Sequence, residues 1–246
     1  MNTPPNTTSQ IARARSQQLG DILRRSAARV PDKTALVFRG QKDTFADLNT
    51  VVNRAANALA DHGITKGDRV ALFSHNNRTF VILRFALARL GAITTPVNFM
   101  LNAEDVAYIL DHSGACALVA EDALCGIADA AMAQMTKPPT QKFFIPHAGQ
   151  DAPSGWQPVD HLLNHPDASD VWTDVASDDP IQMMYTSGTE SRPKGAMLTS
   201  GALIAQYVTS VIDGDMTADA VRLAIRPTGY IGIGTNNPDE LLVLRG

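Results

Sequence analysis

The feature that most restricts the fold is an alternation of short, continuous apolar runs with helical segments that close on glycine. Arg69 to Ser74 (RVALFS), Ala92 to Val97 (AITTPV) and Ala115 to Ala120 (ACALVA) carry no apolar–polar alternation. A strand with one wet face alternates, whereas a strand covered on both faces reads as a continuous apolar run. Between these runs, Arg78 to Leu90 is a helix closed by Gly91, and Glu104 to His112 is a helix capped by Asn102. A helix over Ala123 to Met135 and a strand over Lys142 to Ile145 continue the pattern. This order predicts an α/β fold with a mostly parallel, helix-flanked sheet. The Arg78–Leu90 segment is apolar on most sides (Phe80, Val81, Ile82, Leu83, Phe85, Leu87), so it is expected deep in the protein.

The preceding segments set up this core. Leu19 to Val30 reads as a helix with Leu19, Ile22, Leu23 and Val30 mostly on one face, stopped by Pro31. Thr34 to Phe38 reads as a strand, Arg39-Gly40 as a turn, and Asp43 to Phe45 as the returning strand. Leu48, Val51, Val52, Ala55 and Leu59 then make one helical stripe. Thr44 and Asp47 suit a reciprocal cap at its start, and Gly63 suits a left-handed end. From Pro146 to Pro180 the prolines multiply, which predicts a long surface excursion with a short helix near His161 to Leu163.

The chain has 246 residues, 44% of them hydrophobic, enough to bury a sizeable core. Its formal net charge of −4, with no basic block, argues against a nucleic-acid partner. Cys116 and Cys125 are the only cysteines, which fits reduced thiols and a cytoplasmic setting rather than a disulfide scaffold. No run approaches the roughly 18 apolar residues of a membrane span. Residues 1–18 are polar, with Arg13 and Arg15, and read as a disordered leader; an organelle transit peptide is the alternative.

After a strand over Ile181 to Tyr185 comes Tyr185-Thr186-Ser187-Gly188-Thr189-Glu190-Ser191-Arg192-Pro193-Lys194-Gly195. Thr186, Ser187 and Thr189 offer hydroxyl donors to phosphate oxygens. Gly188 lets the backbone approach and turn its N–H groups inward. Lys194 supplies a positive charge, presented by the turn that Pro193 stiffens. The spacing is not that of a Walker loop, because no glycine directly precedes Lys194.

This segment resembles the phosphate loop of the adenylate-forming superfamily of acyl-CoA synthetases, luciferases and peptide-synthetase adenylation domains, whose pattern is close to Y-T-S-G-T-[ST]-G-x-P-K-G. The match covers Tyr185, Thr186, Ser187, Gly188, Thr189, Pro193, Lys194 and Gly195, and departs at Glu190 and Ser191. The TALVF hairpin, LADHGITKGDRVALFSHN, ARLGAITTPVN and NAEDVAYILDHS segments extend the resemblance over roughly Leu19 to Asp219. It implies a carboxylate–CoA ligase, of the fatty-acyl-CoA synthetase type. Such an enzyme uses Mg2+ and ATP to make an acyl-adenylate from a small-molecule carboxylate, then passes the acyl group to CoA. Thr186, Ser187, Gly188, Thr189 and Lys194 would then be the ATP-phosphate contacts.

The resemblance also implies later motifs that do not occur here: the aromatic-Gly-x-Thr-Glu segment, a ribose-binding aspartate, a hinge and a C-terminal lysine. The expected organisation is therefore a leader at 1–18, a truncated N-terminal adenylate-forming domain at 19–219, and a non-family tail at 220–246. No complete catalytic set is expected. Ile231 to Pro238 with Leu241 to Leu244 resembles a short segment of phage tail-fibre proteins, the alternatives being a frameshifted or chimeric end. The competing functional reading is a non-catalytic α/β module that binds phosphate or a partner. Uncovered edges would favour oligomers or aggregates. His161 and His165 are not expected to bind zinc, Asp178-Asp179 is expected in a solvated turn, Arg24-Arg25 on a solvated face, and Met183 and Met184 in the core.

Overall fold

The computed structural model describes residues 18–146, 153–186 and 192–213, together with the backbone of 223–225 and 231–233. In chain order the elements are α1 (Leu19–Arg29), β1 (Thr34–Phe38), β2 (Gln41–Thr44), α2 (Phe45–Asp61), β3 (Arg69–Phe73), α3 (Arg78–Leu90), β4 (Ile93–Val97), α4 (Ala103–Ser113) and β5 (Ala117–Glu121). A 3-10 turn (Asp122–Leu124) leads into α5 (Cys125–Met132), followed by β6 (Gln141–Ile145), β7 (Gln157–Pro158), α6 (Asp160–Leu163), β8 (Pro180–Thr186), β9 (Lys194–Thr199), α7 (Ser200–Asp213), β10 (Leu223–Ile225) and β11 (Ile231–Ile233).

The main sheet has seven strands in the order β7-β6-β5-β3-β4-β8-β9. All neighbours are parallel except β8 and β9, which form an antiparallel hairpin at one edge. The expected mostly parallel, helix-flanked sheet is therefore present. Its strands show why they lack alternation. Val70 and Leu72 of β3, with Ala117 and Val119 of β5, pack under α1, α2 and α3. Ala71, Phe73, Leu118 and Ala120 pack on the opposite face against α4 and α5. Both faces are dry, so both side-chain sets must be apolar.

Local signals place the helices. Thr44 and Asp47 form the reciprocal capping box of α2, with the Thr44 Oγ1 accepting from the Asp47 N–H at 3.1 Å. Asn77 and Asn102 cap α3 and α4 through side-chain oxygens that accept from Phe80 N–H and Asp105 N–H. Gly91 ends α3 in the left-handed region, φ 69°, with the side chains of Lys66 and Val175 against the place a Cβ would take. The helix expected over Ala123 to Met135 is shorter than its pattern. Asp122 accepts from Ala123 N–H and tightens the start. At the end, Gln134 and Met135 N–H groups bond only three residues back.

A smaller sheet, β11-β10-β1-β2, includes the early hairpin. Its β10 backbone runs parallel to β1, with Leu36 opposite Leu223 and Phe38 opposite Ile225. Two of its four strands thus lie in the segment expected to be a foreign tail.

Two sequence expectations fail where distant segments meet. Arg24 does not lie on a solvated face. It donates to Asp170 at 2.8 Å and to the Val171 carbonyl at 2.9 Å, and its guanidinium sits 4.1 Å from the Trp172 ring centre. The proline-rich excursion supplies these partners, and Asn57 fixes the same segment by donating to the Asp167 and Ser169 carbonyls. Met183 and Met184 are not core residues: Met184 is 37% exposed and Met183 is only partly covered. They lie in β8, which has the β8–β9 edge of the sheet for its surroundings. Met197, Val208 and Ile212 beyond them are also exposed. Arg25 is exposed, as expected, and Arg13 and Arg15 lie outside the described residues.

Among the described residues, no helix is long and apolar enough to cross a membrane. Cys116 and Cys125 are both free thiols. Burial raises both, Cys125 to about 12, so neither is a reactive thiolate near neutrality.

Candidate functional site

In parallel α/β sheets, ligands gather beyond the carboxyl ends of the strands. That edge here is formed by the residues that follow β3, β4, β5 and β8. The glycine- and hydroxyl-rich segment connects β8 to β9 in the chain. Thr186 and Lys194 are paired across its neck, and Tyr185 faces Gly195 one position earlier. The fold thus brings together the first and last of the expected phosphate contacts. Ser187, Gly188 and Thr189 lie outside the described residues, as do Glu190 and Ser191.

Thr186 and Lys194 are exposed, and among the described residues no carboxylate pairs with the Lys194 ammonium. A solvated, unneutralised lysine beside a hydroxyl at a hairpin neck fits an anionic phosphate. Gly195 is constrained by crowding rather than by φ. A Cβ there would stand 3.1 Å from the Met183 sulfur and 3.2 Å from the Tyr185 ring.

Helix α4 props this neck. The Tyr108 hydroxyl donates to the Pro193 carbonyl at 3.1 Å, and the Arg192 guanidinium lies over the Tyr108 ring, 5.1 Å from its centre. One turn further on, His112 Nδ1 is 2.8 Å from the Tyr185 hydroxyl. Burial raises the Tyr185 hydroxyl above its ordinary pKa, with Tyr108 adding to the effect, so it remains a neutral hydrogen-bonding group. A cleft of about 310 Å³ opens beside this prop, lined by Glu104, Asp105, Tyr108, Asp111, Arg192 and Pro193 among others. Nothing in the sequence alone marks Tyr108 and His112 as site residues. Their i, i+4 spacing puts them on one helix face, but nothing local says what that face meets.

A second polar cluster stands on the same edge. The chain leaves β3 for β4 on one side and returns to β5 on the other, so the loops after β3 and β5 diverge at a topological switch point. Glu121, at the end of β5, is 2% exposed. Its carboxylate accepts from the His75 N–H at 3.0 Å and the Ser74 hydroxyl at 3.2 Å, and meets His75 Nδ1 at 2.5 Å. The His75 ring stacks on Phe99 at 3.7 Å between centroids. The glycine-free Ser74-His75-Asn76-Asn77 turn is thereby fixed by a carboxylate from another strand.

Other candidates resolve into structural roles. Asp179 accepts from the Ala176 N–H and pairs with Lys66 at 2.5 Å, so its turn is tied down rather than simply solvated. The hydrogen bond from Lys66 holds its carboxyl below the usual range. His165 lies past the end of α6 and pairs with Asp61 at 3.1 Å. Among the described residues, no three His, Cys, Asp or Glu side chains converge as a metal site.

A mostly parallel, helix-flanked α/β sheet of this kind matches the N-terminal domains of acyl-CoA ligases. The chain matches the AMP-binding enzyme family over residues 23–232 and belongs to it. That match runs past Asp219, into the segment holding β10. The chain is 33% identical over 231 residues to a crotonobetaine/carnitine–CoA ligase of Proteus sp. (strain LE138), covering 90% of this chain and 43% of that protein. It is 32% identical over 214 residues to a feruloyl-CoA synthase of Amycolatopsis sp., covering 87% and 40%. Its fold superposes on a candidate long-chain-fatty-acid CoA ligase from Rhodopseudomonas palustris CGA009 with a TM-score of 0.77 at 27% identity, covering 88% of this chain and 53% of that one. The inhibitor-bound N-terminal domain of FACL13 from Mycobacterium tuberculosis gives a TM-score of 0.64 at 32% identity, covering 75% and 45%. The chain spans less than half the length of the curated relatives it matches.

Proposed function

We propose that this chain provides the ATP-phosphate grip of an adenylate-forming carboxylate–CoA ligase. The observation that carries this reading is the β8–β9 neck, with Thr186 opposite Lys194 and no competing acid on the lysine among the described residues. Thr186, Ser187, Gly188, Thr189 and Lys194 contact the β- and γ-phosphates. Their share of the chemistry is to position the phosphates and offset their charge, not to move protons. The family reaction also uses CoA and a divalent cation, Mg2+. The described residues do not by themselves supply a three-ligand metal cluster. The substrate is a small-molecule carboxylate, a fatty acyl group in the reading carried by the sequence resemblance.

These 246 residues hold the phosphate loop but not the aromatic-Gly-x-Thr-Glu segment that the family places further along. Alone they bind ATP without completing the ligase reaction. Calorimetric titration with Mg2+ and ATP, followed by pyrophosphate exchange over a panel of carboxylates, tests both halves. Binding that Lys194→Ala weakens at least tenfold, without exchange, is the expected result. Clear exchange would overturn the claim of incapacity. Equal ATP binding by the unaltered and Lys194→Ala proteins would overturn the phosphate-grip assignment.

A further inference from the structure

The hairpin neck is held from one helix at two points, one on β8 and one just before β9. His112 engages Tyr185 on the entering strand, and Tyr108 engages Pro193 on the leaving side. The β8–β9 ladder ends at the Thr186–Lys194 pair. The Tyr108 hydroxyl is thus a tether on the leaving arm just past the last pair. It fixes the carbonyl of Pro193, one peptide bond before Lys194.

We propose that Tyr108 is a positioning residue for the phosphate grip, acting through the Pro193 carbonyl to aim Lys194; this rests on the reading of residues 186–194 as the ATP-phosphate loop. A lysine ammonium is a point charge on a long flexible stem, so its productive reach depends on where its backbone is held. Rotating the Pro193–Lys194 peptide plane redirects that stem. The Tyr108 hydroxyl opposes the rotation, and the Arg192 guanidinium over the same ring adds a second contact between α4 and the loop. The bond is only partly buried. When it is lost, water takes its place at the carbonyl, which costs the fold little. The loss falls on ligand binding, where orientation of the donor decides the contact.

The test compares four versions of the 246-residue chain by calorimetric titration with Mg2+ and ATP: unaltered, Tyr108→Phe, Lys194→Ala, and the double variant. Phenylalanine keeps the ring and its Arg192 contact, and removes only the hydroxyl. Tyr108→Phe is expected to weaken ATP binding by about three- to tenfold, the range for one net hydrogen bond, with the thermal melt in place. On the Lys194→Ala background the same change is expected to have less than about a twofold effect, because the residue it aims has lost its charge. Tyr108→Phe binding as tightly as the unaltered protein, while Lys194→Ala binds more weakly, would overturn this inference alone. An equal loss on both backgrounds would also overturn it, since a general structural defect adds independently. No ATP binding by the unaltered protein would overturn the phosphate-grip reading and this inference with it.

Discussion

Glu121 Oε1 lies 2.5 Å from His75 Nδ1, joining the end of β5 to the turn after β3 across 46 positions of sequence. The carboxylate is buried, and its other oxygen takes the His75 N–H and the Ser74 hydroxyl. Removing it would leave the buried end of this turn with the His75 N–H lacking its acceptor, and the Ser74 hydroxyl with only the His75 carbonyl. We predict that Glu121→Ala costs about 3 kcal/mol and Glu121→Gln, which retains one acceptor oxygen, about 1 kcal/mol. Urea denaturation compares the two; equal losses would mean that the packing and the acceptor oxygen kept by glutamine contribute nothing beside the charge.

Arg89 is 2% exposed, although it occupies the last turn of a helix. Its guanidinium donates to Asn53 Oδ1 and, at 2.5 Å, to Asn49 Oδ1. Burial lowers its pKa to about 10, with nearby Arg24 adding to the effect. Arg89→Ala strands two amide oxygens and opens a cavity between α1, α2 and α3, for an expected loss of about 3 kcal/mol. Arg89→Met fills much of the space and should recover part of that loss. Thermal melts of the two variants check the order.

Acid should act first on the capped and tethered aspartates. The hydrogen bond from the Thr44 side chain lowers the pKa of Asp47, and the hydrogen bond from Lys66 lowers that of Asp179. A carboxyl with a lowered folded pKa stabilises the fold above its unfolded value, near 3.9, and loses that contribution as pH falls through the folded value. Stability is therefore expected to be level from neutrality to about pH 5 with respect to these groups, and to fall below about pH 4. Lys66→Met should reduce the acid-dependent part of the loss. Chemical denaturation between pH 7 and pH 3 measures it, and an unchanged profile in Lys66→Met would rule out the Asp179 contribution.

Gly195 stands against Met183 and the Tyr185 ring. A methyl group there must push one of them, and Tyr185 is held by His112. Gly195→Ala should move Tyr185 off His112 and weaken ATP binding more than it weakens the fold. The same substitution combined with Met183→Ala, which makes room, should restore part of the affinity. Failure of that rescue would show that crowding against Met183 is not what matters.

The sequence determined by itself those parts of the protein that depend on near neighbours. The Thr44–Asp47 box, the asparagine cap at Asn102 and the glycine stop at Gly91 were all legible, because each is a bond or a backbone conformation within a few residues. The two-faced burial of β3 and β5 was legible because the absence of alternation reports two dry faces. The run of hydroxyl, glycine, proline and lysine residues from Thr186 to Gly195 offers a candidate phosphate loop in the sequence, and the described residues pair Thr186 with Lys194. Only the tertiary structure decided what those elements meet. It joined Arg24 to Asp170, Arg89 to Asn53, Glu121 to His75 and Tyr108 to Pro193, and it left Met184 exposed. Burial, ion pairing and the aim of a lysine depend on groups brought together by sheet order and helix packing. Neither hydrophobic period nor residue type along the chain encodes those distances, so Tyr108 looked like any aromatic on a helix until the hairpin was placed against it.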